Sequence, residues 1–212
     1  MVKHVIWDWN GTLLDDVSLC VDILNQFLNY NQKPTLSVEK YRELFFFPVS
    51  EFYKVLGLPY QGFEYEELAT NYIASYRKRF IECNLHNGAL CTLNYLSSIG
   101  VSQSILTAGM QADIENFAFH YKVSEYMNLI DGANNSYAMG KLDRIDLHFQ
   151  KLQLDPHEVI LVGDTLHDWQ TSQLINCKAY LFNKGHINEK RLCEANAPIL
   201  DALSDLMGLV RD

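Results

Sequence analysis

Short apolar runs alternate with longer segments of helical periodicity along most of the chain. Six runs are apolar and β-branched enough for strands, the last one weakly: 3–7, 103–107, 128–130, 159–162, 178–182 and 198–199. Helical patterns lie between them, at 90–99, 111–120, 142–152 and 169–176. This alternation is typical of a parallel sheet covered by helices on both faces. The predicted fold class is therefore α/β, with a doubly wound, mostly parallel, Rossmann-like sheet.

One interval breaks the alternation directly after the first strand. Only helical patterns occur there, at 17–30, 38–46, 51–56 and 65–82. We therefore expect a small helical cap domain over residues 16–86, inserted into an α/β core made of 1–15 and 87–212. Residues 15–16 and 85–88 would be the hinge linkers. The run Phe45-Phe46-Phe47 fits either the underside of this cap or its bundle core, and the core is favoured because aromatic clusters in helices usually pack together.

Polar side chains stand where several of the predicted strands end. Asp8 follows the first strand, Thr107 ends the second, Lys141 heads a helical stretch, and Asp164 and Asp168 follow the run at 159–162. Ligands of open α/β sheets bind outside the carboxyl ends of the strands, so this order indicates a site. Each residue also has a purely local explanation, as a turn residue, a helix cap or a solvated lysine.

The combination resembles the haloacid dehalogenase superfamily. Residues 8–12 read DWNGT and residues 163–168 read GDTLHD, against the family motifs Asp-x-Asp-Gly-Thr and Gly-Asp-x-x-x-Asp. The resemblance covers nearly the whole chain and is strongest to phosphoglycolate-phosphatase-like members. It implies a helical cap that closes on the substrate and a Mg²⁺-dependent phosphatase acting on a small phosphate monoester.

The same resemblance implies roles for the motif residues. Asp8 would be the nucleophile that forms an aspartyl-phosphate. It would also hold Mg²⁺, together with Asp164, Asp168 and the main-chain carbonyl of Asn10.

Two further motifs would bind the phosphoryl group. Thr107 would donate its hydroxyl, together with the backbone N–H groups of Ala108 and Gly109. Lys141 would balance the charge between the nucleophile and the phosphate.

Asn10 departs from the family pattern. Most phosphatases of the family carry there an Asp that protonates the leaving oxygen and later deprotonates the attacking water. An amide forms hydrogen bonds but does not carry that proton. This leaves two alternatives: a phospho-ligand binding or regulatory protein with little turnover, and a phosphonatase or mutase of the same fold. The retained nucleophile disfavours the binding protein, and a mutase is disfavoured because it must protonate and deprotonate sugar hydroxyls, the step that Asn10 serves worst.

Composition and charge limit the classes of molecule that the protein could bind. The 212-residue chain has a net charge of −9, which disfavours a nucleic-acid backbone as partner. No apolar run is long enough to span a bilayer, and the N-terminus lacks the features of a signal peptide. The five cysteines show no metal-ligand spacing and fit a reducing compartment. We expect a cytoplasmic protein whose partner is a small phosphorylated metabolite; the substrate and the oligomeric state are not readable from the sequence.

Overall fold

A six-stranded sheet forms the centre of the molecule in the computed structural model, which describes residues 1–134 and 141–210. The strands, in chain order, are β1 (His4–Trp7), β2 (Leu14–Asp15), β3 (Asn84–Leu85), β4 (Ser102–Met110), β5 (Leu129–Ala133), β6 (Val159–Gly163), β7 (Lys178–Phe182) and β8 (Ile199–Leu200). The main sheet has the order β5-β4-β1-β6-β7-β8, and each neighbouring pair is parallel. Strand β1 is therefore central, which explains the apolar run Val5-Ile6-Trp7 that follows His4.

Helices cover both faces of this sheet. In chain order they are α1 (Val17–Tyr30), α2 (Val38–Leu44), α3 (Val49–Val55), α4 (Gly62–Arg79), α5 (Ala89–Ser98), α6 (Gln111–His120), α7 (Ile145–Leu152), α8 (Leu166–Leu174), α9 (Glu189–Leu192) and α10 (Leu206–Leu209). Side chains alternate along a strand, so Val5 and Trp7 pack with α5 and α6, whereas Ile6 packs with Ile145 of α7 on the other face. The predicted doubly wound α/β fold is confirmed.

Helices α1 to α4 occupy the interval in which only helices were predicted. Their side chains Leu24, Tyr41 and Phe52 share one apolar cluster with Leu181 and Ile187, which lie at and after the end of β7. The helical segment thus packs against the carboxyl end of the sheet. The division into a core and a cap at the boundaries given above stays a prediction.

The two ends of the helical segment pair with each other. Leu14 and Asp15 of β2 lie opposite Leu85 and Asn84 of β3 in an antiparallel ladder. Two-residue strands carry no periodicity, so the sequence predicts only linkers at these positions.

The α7 region differs from its predicted pattern. The helix begins at Ile145, and its buried face carries Ile145 and His148, while Leu147 is 58% exposed. The buried imidazole of His148 hydrogen-bonds Ser104 at 2.8 Å. The sequence pattern does not predict a buried position for His148, because such patterns are made of apolar residues and histidine is polar. Within the described ranges, no helix is long and apolar enough to cross a membrane.

Candidate active site

Two strand ends and the first turn of a helix bring the predicted acidic residues together. Asp8 follows β1, Asp164 follows β6, and β1 and β6 are direct neighbours in the sheet. Asp168 lies in the first turn of α8. Carboxylate oxygens of these three residues lie within 4.8 Å of one another, and all three residues are buried or nearly so.

Lys141 connects this cluster. Its buried ammonium lies 2.8 Å from Oδ1 of Asp8 and 2.5 Å from Oδ1 of Asp168, and it donates to the carbonyl of Leu106 at 3.2 Å. Burial by itself lowers the pKa of Lys141, but the attraction of Asp168 and Asp8 outweighs it and raises that pKa. The side chain is therefore a buried cation shared by two carboxylates.

Asp168 also caps helix α8. Its Oδ2 accepts hydrogen bonds from the backbone N–H of Asp164 at 3.2 Å and from the N–H and Oγ1 of Thr165 at 3.0 and 2.7 Å. These bonds and Lys141 lower the pKa of Asp168 although burial opposes them. Asp168 therefore caps the helix and belongs to the acidic cluster at the same time.

Asp164 has fewer charged partners. Its carboxylate accepts from Thr12 Oγ1 at 2.9 Å and from the N–H of His186 at 2.6 Å. Burial raises its pKa, as it raises that of Asp8, and repulsion among the three carboxylates adds to both shifts. The cluster thus carries more negative charge than Lys141 alone balances.

Two glycines allow this crowding. Gly11 has a φ of +71°, and a Cβ there would lie 2.5 Å from Oδ2 of Asp164. A Cβ on Gly185 would lie 2.1 Å from the same oxygen. The chain therefore passes on both sides of Asp164 at distances that no other residue allows.

A second buried cluster surrounds Asn10, and sequence reasoning missed it. The amide Nδ2 of Asn10 donates to Asp16 Oδ2 at 2.6 Å and to the Tyr76 hydroxyl at 2.8 Å. Asp16 also accepts from the N–H of Gly11 at 2.9 Å and from Tyr76 at 2.7 Å. Asp16 adjoins the first motif in sequence, but Tyr76 comes from α4, so only the tertiary fold reveals the contact.

His186 completes this second cluster. Its Nε2 lies 3.2 Å from Oδ1 of Asp16, and its Nδ1 lies 2.9 Å from the Tyr41 hydroxyl. Burial opposes both charges, yet each stabilises the other: the pKa of Asp16 is lowered to about 2 and that of His186 is raised to about 9. The two form a buried ion pair beside Asn10.

The remaining predicted residues line one cavity with Asp8. Thr107 is buried, and its Oγ1 accepts from the N–H of Gly109 at 3.2 Å. The cavity has a volume of about 210 Å³ and is lined by Thr107, Ala108, Gly109 and Lys141, as well as by side chains of α1 to α4. His167 also lines it and packs against Phe47 in a tilted arrangement, with 4.9 Å between ring centroids.

The family of the chain follows from its sequence and this site. A family model described as haloacid dehalogenase-like hydrolase matches residues 5–182. The chain therefore belongs to that family of hydrolases, as the motifs predicted.

Solved structures share the fold over nearly the full length. A haloacid dehalogenase-like hydrolase from Streptococcus pneumoniae is 19% identical with a TM-score of 0.83, covering 98% of both chains. A predicted phosphoglycolate phosphatase from Haemophilus somnus is 14% identical with a TM-score of 0.80, covering 98% of this chain and 97% of the other. At these identities the likeness shows the fold alone.

A curated relative gives a similar result. An uncharacterized hydrolase of Saccharomyces cerevisiae is 26% identical over 125 residues, which are 58% of this chain. The match spans 57% of the length of that relative.

Proposed function

We propose that this hydrolase is a Mg²⁺-dependent phosphatase that hydrolyses a small phosphate monoester through an aspartyl-phosphate on Asp8. The observation that supports it most strongly is the contact of Lys141 with both Asp8 and Asp168, beside the carboxylate of Asp164. A protein that only binds phosphate has no need for a buried carboxylate next to it, because the two negative charges repel each other.

The donor set fits Mg²⁺. This ion prefers carboxylate and carbonyl oxygens, and three carboxylates meet here against one ammonium. Asp8 and Asp164 would hold it, with the main-chain carbonyl of Asn10 and with Asp168 as further candidates. Bound Mg²⁺ supplies positive charge that offsets the repulsion between a carboxylate and a phosphate dianion.

Each residue then has a defined part in the reaction. A carboxylate oxygen of Asp8 attacks phosphorus in line with the leaving oxygen. Lys141 holds Asp8 and neutralises part of the charge at the phosphoryl oxygens. The Thr107 hydroxyl and the N–H groups of Ala108 and Gly109 would bind the phosphoryl oxygens that are not displaced. Helices α1 to α4 would act as the cap that keeps water away from the site.

Asn10 limits the reaction. Its amide is engaged with Asp16 and Tyr76 and carries no exchangeable acid proton of suitable pKa. Formation of the phosphoenzyme then depends on a good leaving group, and its hydrolysis lacks the usual base. We therefore expect the phosphoenzyme to accumulate during turnover.

The test is to trap this intermediate. Rapid acid quench with a labelled aryl phosphate and Mg²⁺ should yield a phosphorylated protein, with the label on Asp8 in mass spectra. EDTA or Asp8→Ala should abolish both label and turnover, whereas Asp146→Ala, at an exposed position of α7, should retain them. Turnover that survives Asp8→Ala in a pure preparation would refute the proposal.

A second candidate function is a phosphoryl-binding or regulatory protein with little turnover. It is favoured by the amide of Asn10, which is held by Asp16 where a proton carrier would be needed. A phosphoenzyme that forms once and persists for hours would support this alternative.

A further inference from the structure

The part of the cavity formed by the helical segment has no charged side chain. Thirteen residues of 17–79 line the cavity, and every one is apolar or aromatic. They include Leu24, Phe45, Phe47, Phe52, Tyr72 and Ile73. The hydroxyls of Tyr41 and Tyr76 are already bonded, to His186 and to Asp16. These thirteen residues, the aromatic wall, therefore offer an uncharged and largely aromatic surface to the group that the phosphate carries.

Two arginines of the helical segment already have partners. Arg42 donates to the carbonyls of Asn183 and Ile187, and Arg77 pairs with Asp113 at 2.7 Å. Among the described lining residues, the cations are Lys141, which is bound to the catalytic carboxylates, and His186, which is paired with Asp16 at 3.2 Å. A second anionic group on the substrate, such as a carboxylate, would be desolvated here without a free cation to pair with, which is costly.

The volume fits one ring beside the phosphoryl group. An apolar cavity of roughly 150 Å³ accommodates benzene. The cavity here measures about 210 Å³ and includes the phosphoryl site.

The leaving group is restricted by Asn10. Because its amide does not protonate the departing oxygen, the oxygen must leave as an anion. A phenol has a pKa of ~10, like tyrosine, whereas water has a pKa of ~15.7 and ordinary alcohols are similarly weak acids. A phenolate therefore departs without acid help far more readily than an alkoxide.

We propose that the substrate is an aryl phosphate, the monoester of a phenol whose ring is neutral, with the ring held against the aromatic wall. This inference rests on the phosphatase function proposed above. A carboxylate oxygen of Asp8 forms a bond to phosphorus while the bond from phosphorus to the aryl oxygen breaks, and the electron pair leaves with the phenolate, which takes a proton from water. Water then attacks the phosphorus of the aspartyl-phosphate, releasing inorganic phosphate, a proton to solvent and the free carboxylate.

Matched substrates test the two parts of the proposal, the neutral ring and the phenolate leaving group. With Mg²⁺, phenyl phosphate should exceed 4-carboxyphenyl phosphate in kcat/KM by about tenfold or more, because the added charge lacks a partner. It should also exceed cyclohexyl phosphate, similar in size but with a poor leaving group, in kcat/KM, which reports formation of the phosphoenzyme and not its slow breakdown. Equal kcat/KM for the phenyl and cyclohexyl esters, or a preference for phosphoglycolate, would overturn the proposal.

A cation introduced into the wall gives the reverse test. Ile73 is partly buried and lines the cavity, whereas Ala74 is exposed and does not. Ile73→Lys should reduce the discrimination against the carboxylated ester by about tenfold through a new ion pair, and Ala74→Lys should leave it unchanged. Equal discrimination in Ile73→Lys and wild type, with both folded by circular dichroism, would argue against a cavity wall at this position.

Binding measurements separate this inference from the phosphatase function. Calorimetry with the non-hydrolysable phenylphosphonate and its 4-carboxy analogue reports the wall without any turnover. Preference for the neutral phosphonate in a protein that hydrolyses no ester would support the aryl site and refute the phosphatase. Turnover through labelled Asp8, combined with a preference for the charged phosphonate, would support the phosphatase and refute the aryl site.

Discussion

The side-chain amide of Asn10 donates a 2.6 Å hydrogen bond to Oδ2 of Asp16. The sequence alone suggests that Asn10→Asp would supply a missing proton carrier and speed the breakdown of the phosphoenzyme. The structure changes this expectation, because the new carboxylate would face a buried carboxylate that already accepts from Gly11 and Tyr76. Two carboxylates at this distance do not both stay ionised.

Asn10→Asp alone should therefore destabilise the protein. We expect a loss of about 2–4 kcal/mol in the free energy of unfolding, because a buried hydrogen bond becomes a repulsive contact. Urea denaturation at pH 7 measures it. Asn71→Asp, at an exposed position of α4, is the matched control and should change stability little. Unchanged stability in Asn10→Asp would mean that Asp16 does not contact this side chain in solution.

Exchanging the two residues should restore the contact and add the proton carrier. In Asn10→Asp combined with Asp16→Asn, an amide still faces a carboxylate, and the amide oxygen at position 16 can accept from Gly11 and His186. Stability should return only part of the way toward wild type, because the ion pair of Asp16 with His186 is lost. Phosphoenzyme breakdown should rise by about 10²-fold if acid-base help is regained. Rapid-quench decay of the labelled intermediate measures this rate. Equal decay in wild type and the exchanged variant would show that another group already serves as base.

The central strands and most motif residues could be predicted because local sequence determines them. The run before Asp8 is apolar since β1 is covered on both faces, and α1 and α6 begin and end where their patterns do. The surroundings of Asn10 could not be predicted in this way. Its partner Tyr76 lies 66 positions away and reaches it only when α4 packs over the sheet. The aromatic wall of the cavity could not be predicted either, because an apolar helix face has the same sequence pattern whether it fills a core or lines a cavity.

Asp164 and Asp168 should respond differently to neutralisation. Burial and like charges disfavour the Asp164 carboxylate, so Asp164→Asn should cost little stability in EDTA but weaken Mg²⁺ binding strongly. Asp168 pairs with Lys141 and caps α8, so Asp168→Asn should cost about 2–4 kcal/mol because it leaves a buried ammonium less well paired. Denaturation in EDTA and calorimetric titration with Mg²⁺ distinguish the two effects. The reverse ranking in both measurements would refute this division of roles.

His4 should make the protein sensitive to acid. It is buried between Ser102 and Ser104, and burial lowers its pKa to about 4. Between pH 6.5 and 4 the unfolded chain binds a proton that the folded state does not, so stability falls as the pH falls through this window. The loss at pH 4 is at most about 3 kcal/mol from this residue.

The variant His4→Gln isolates this contribution, because His86 and His167 also have lowered pKa values and act in the same direction. The amide keeps hydrogen-bonding capacity toward the two serines but does not titrate. Wild type should lose more stability than His4→Gln on going from pH 7 to pH 4. Parallel stability curves would show that His4 is protonated in the folded state at its ordinary pKa.

The ladder between β2 and β3 should report closure of the helical segment. The N–H of His86 donates to the carbonyl of Leu13 at 2.9 Å, at the point where both connections enter the segment. If residues 16–86 move as a cap, Mg²⁺ with beryllium fluoride, which mimics a phosphoryl group on Asp8, should slow hydrogen exchange at His86 by about tenfold or more. The N–H of Ser102, bonded to Lys3 at 3.0 Å at the opposite end of the sheet, should not change. The effect should vanish in Asp8→Ala, because that variant cannot hold the mimic. Unchanged exchange at His86 in wild type, with binding of the mimic demonstrated by fluorine NMR, would mean that the segment does not move relative to the sheet.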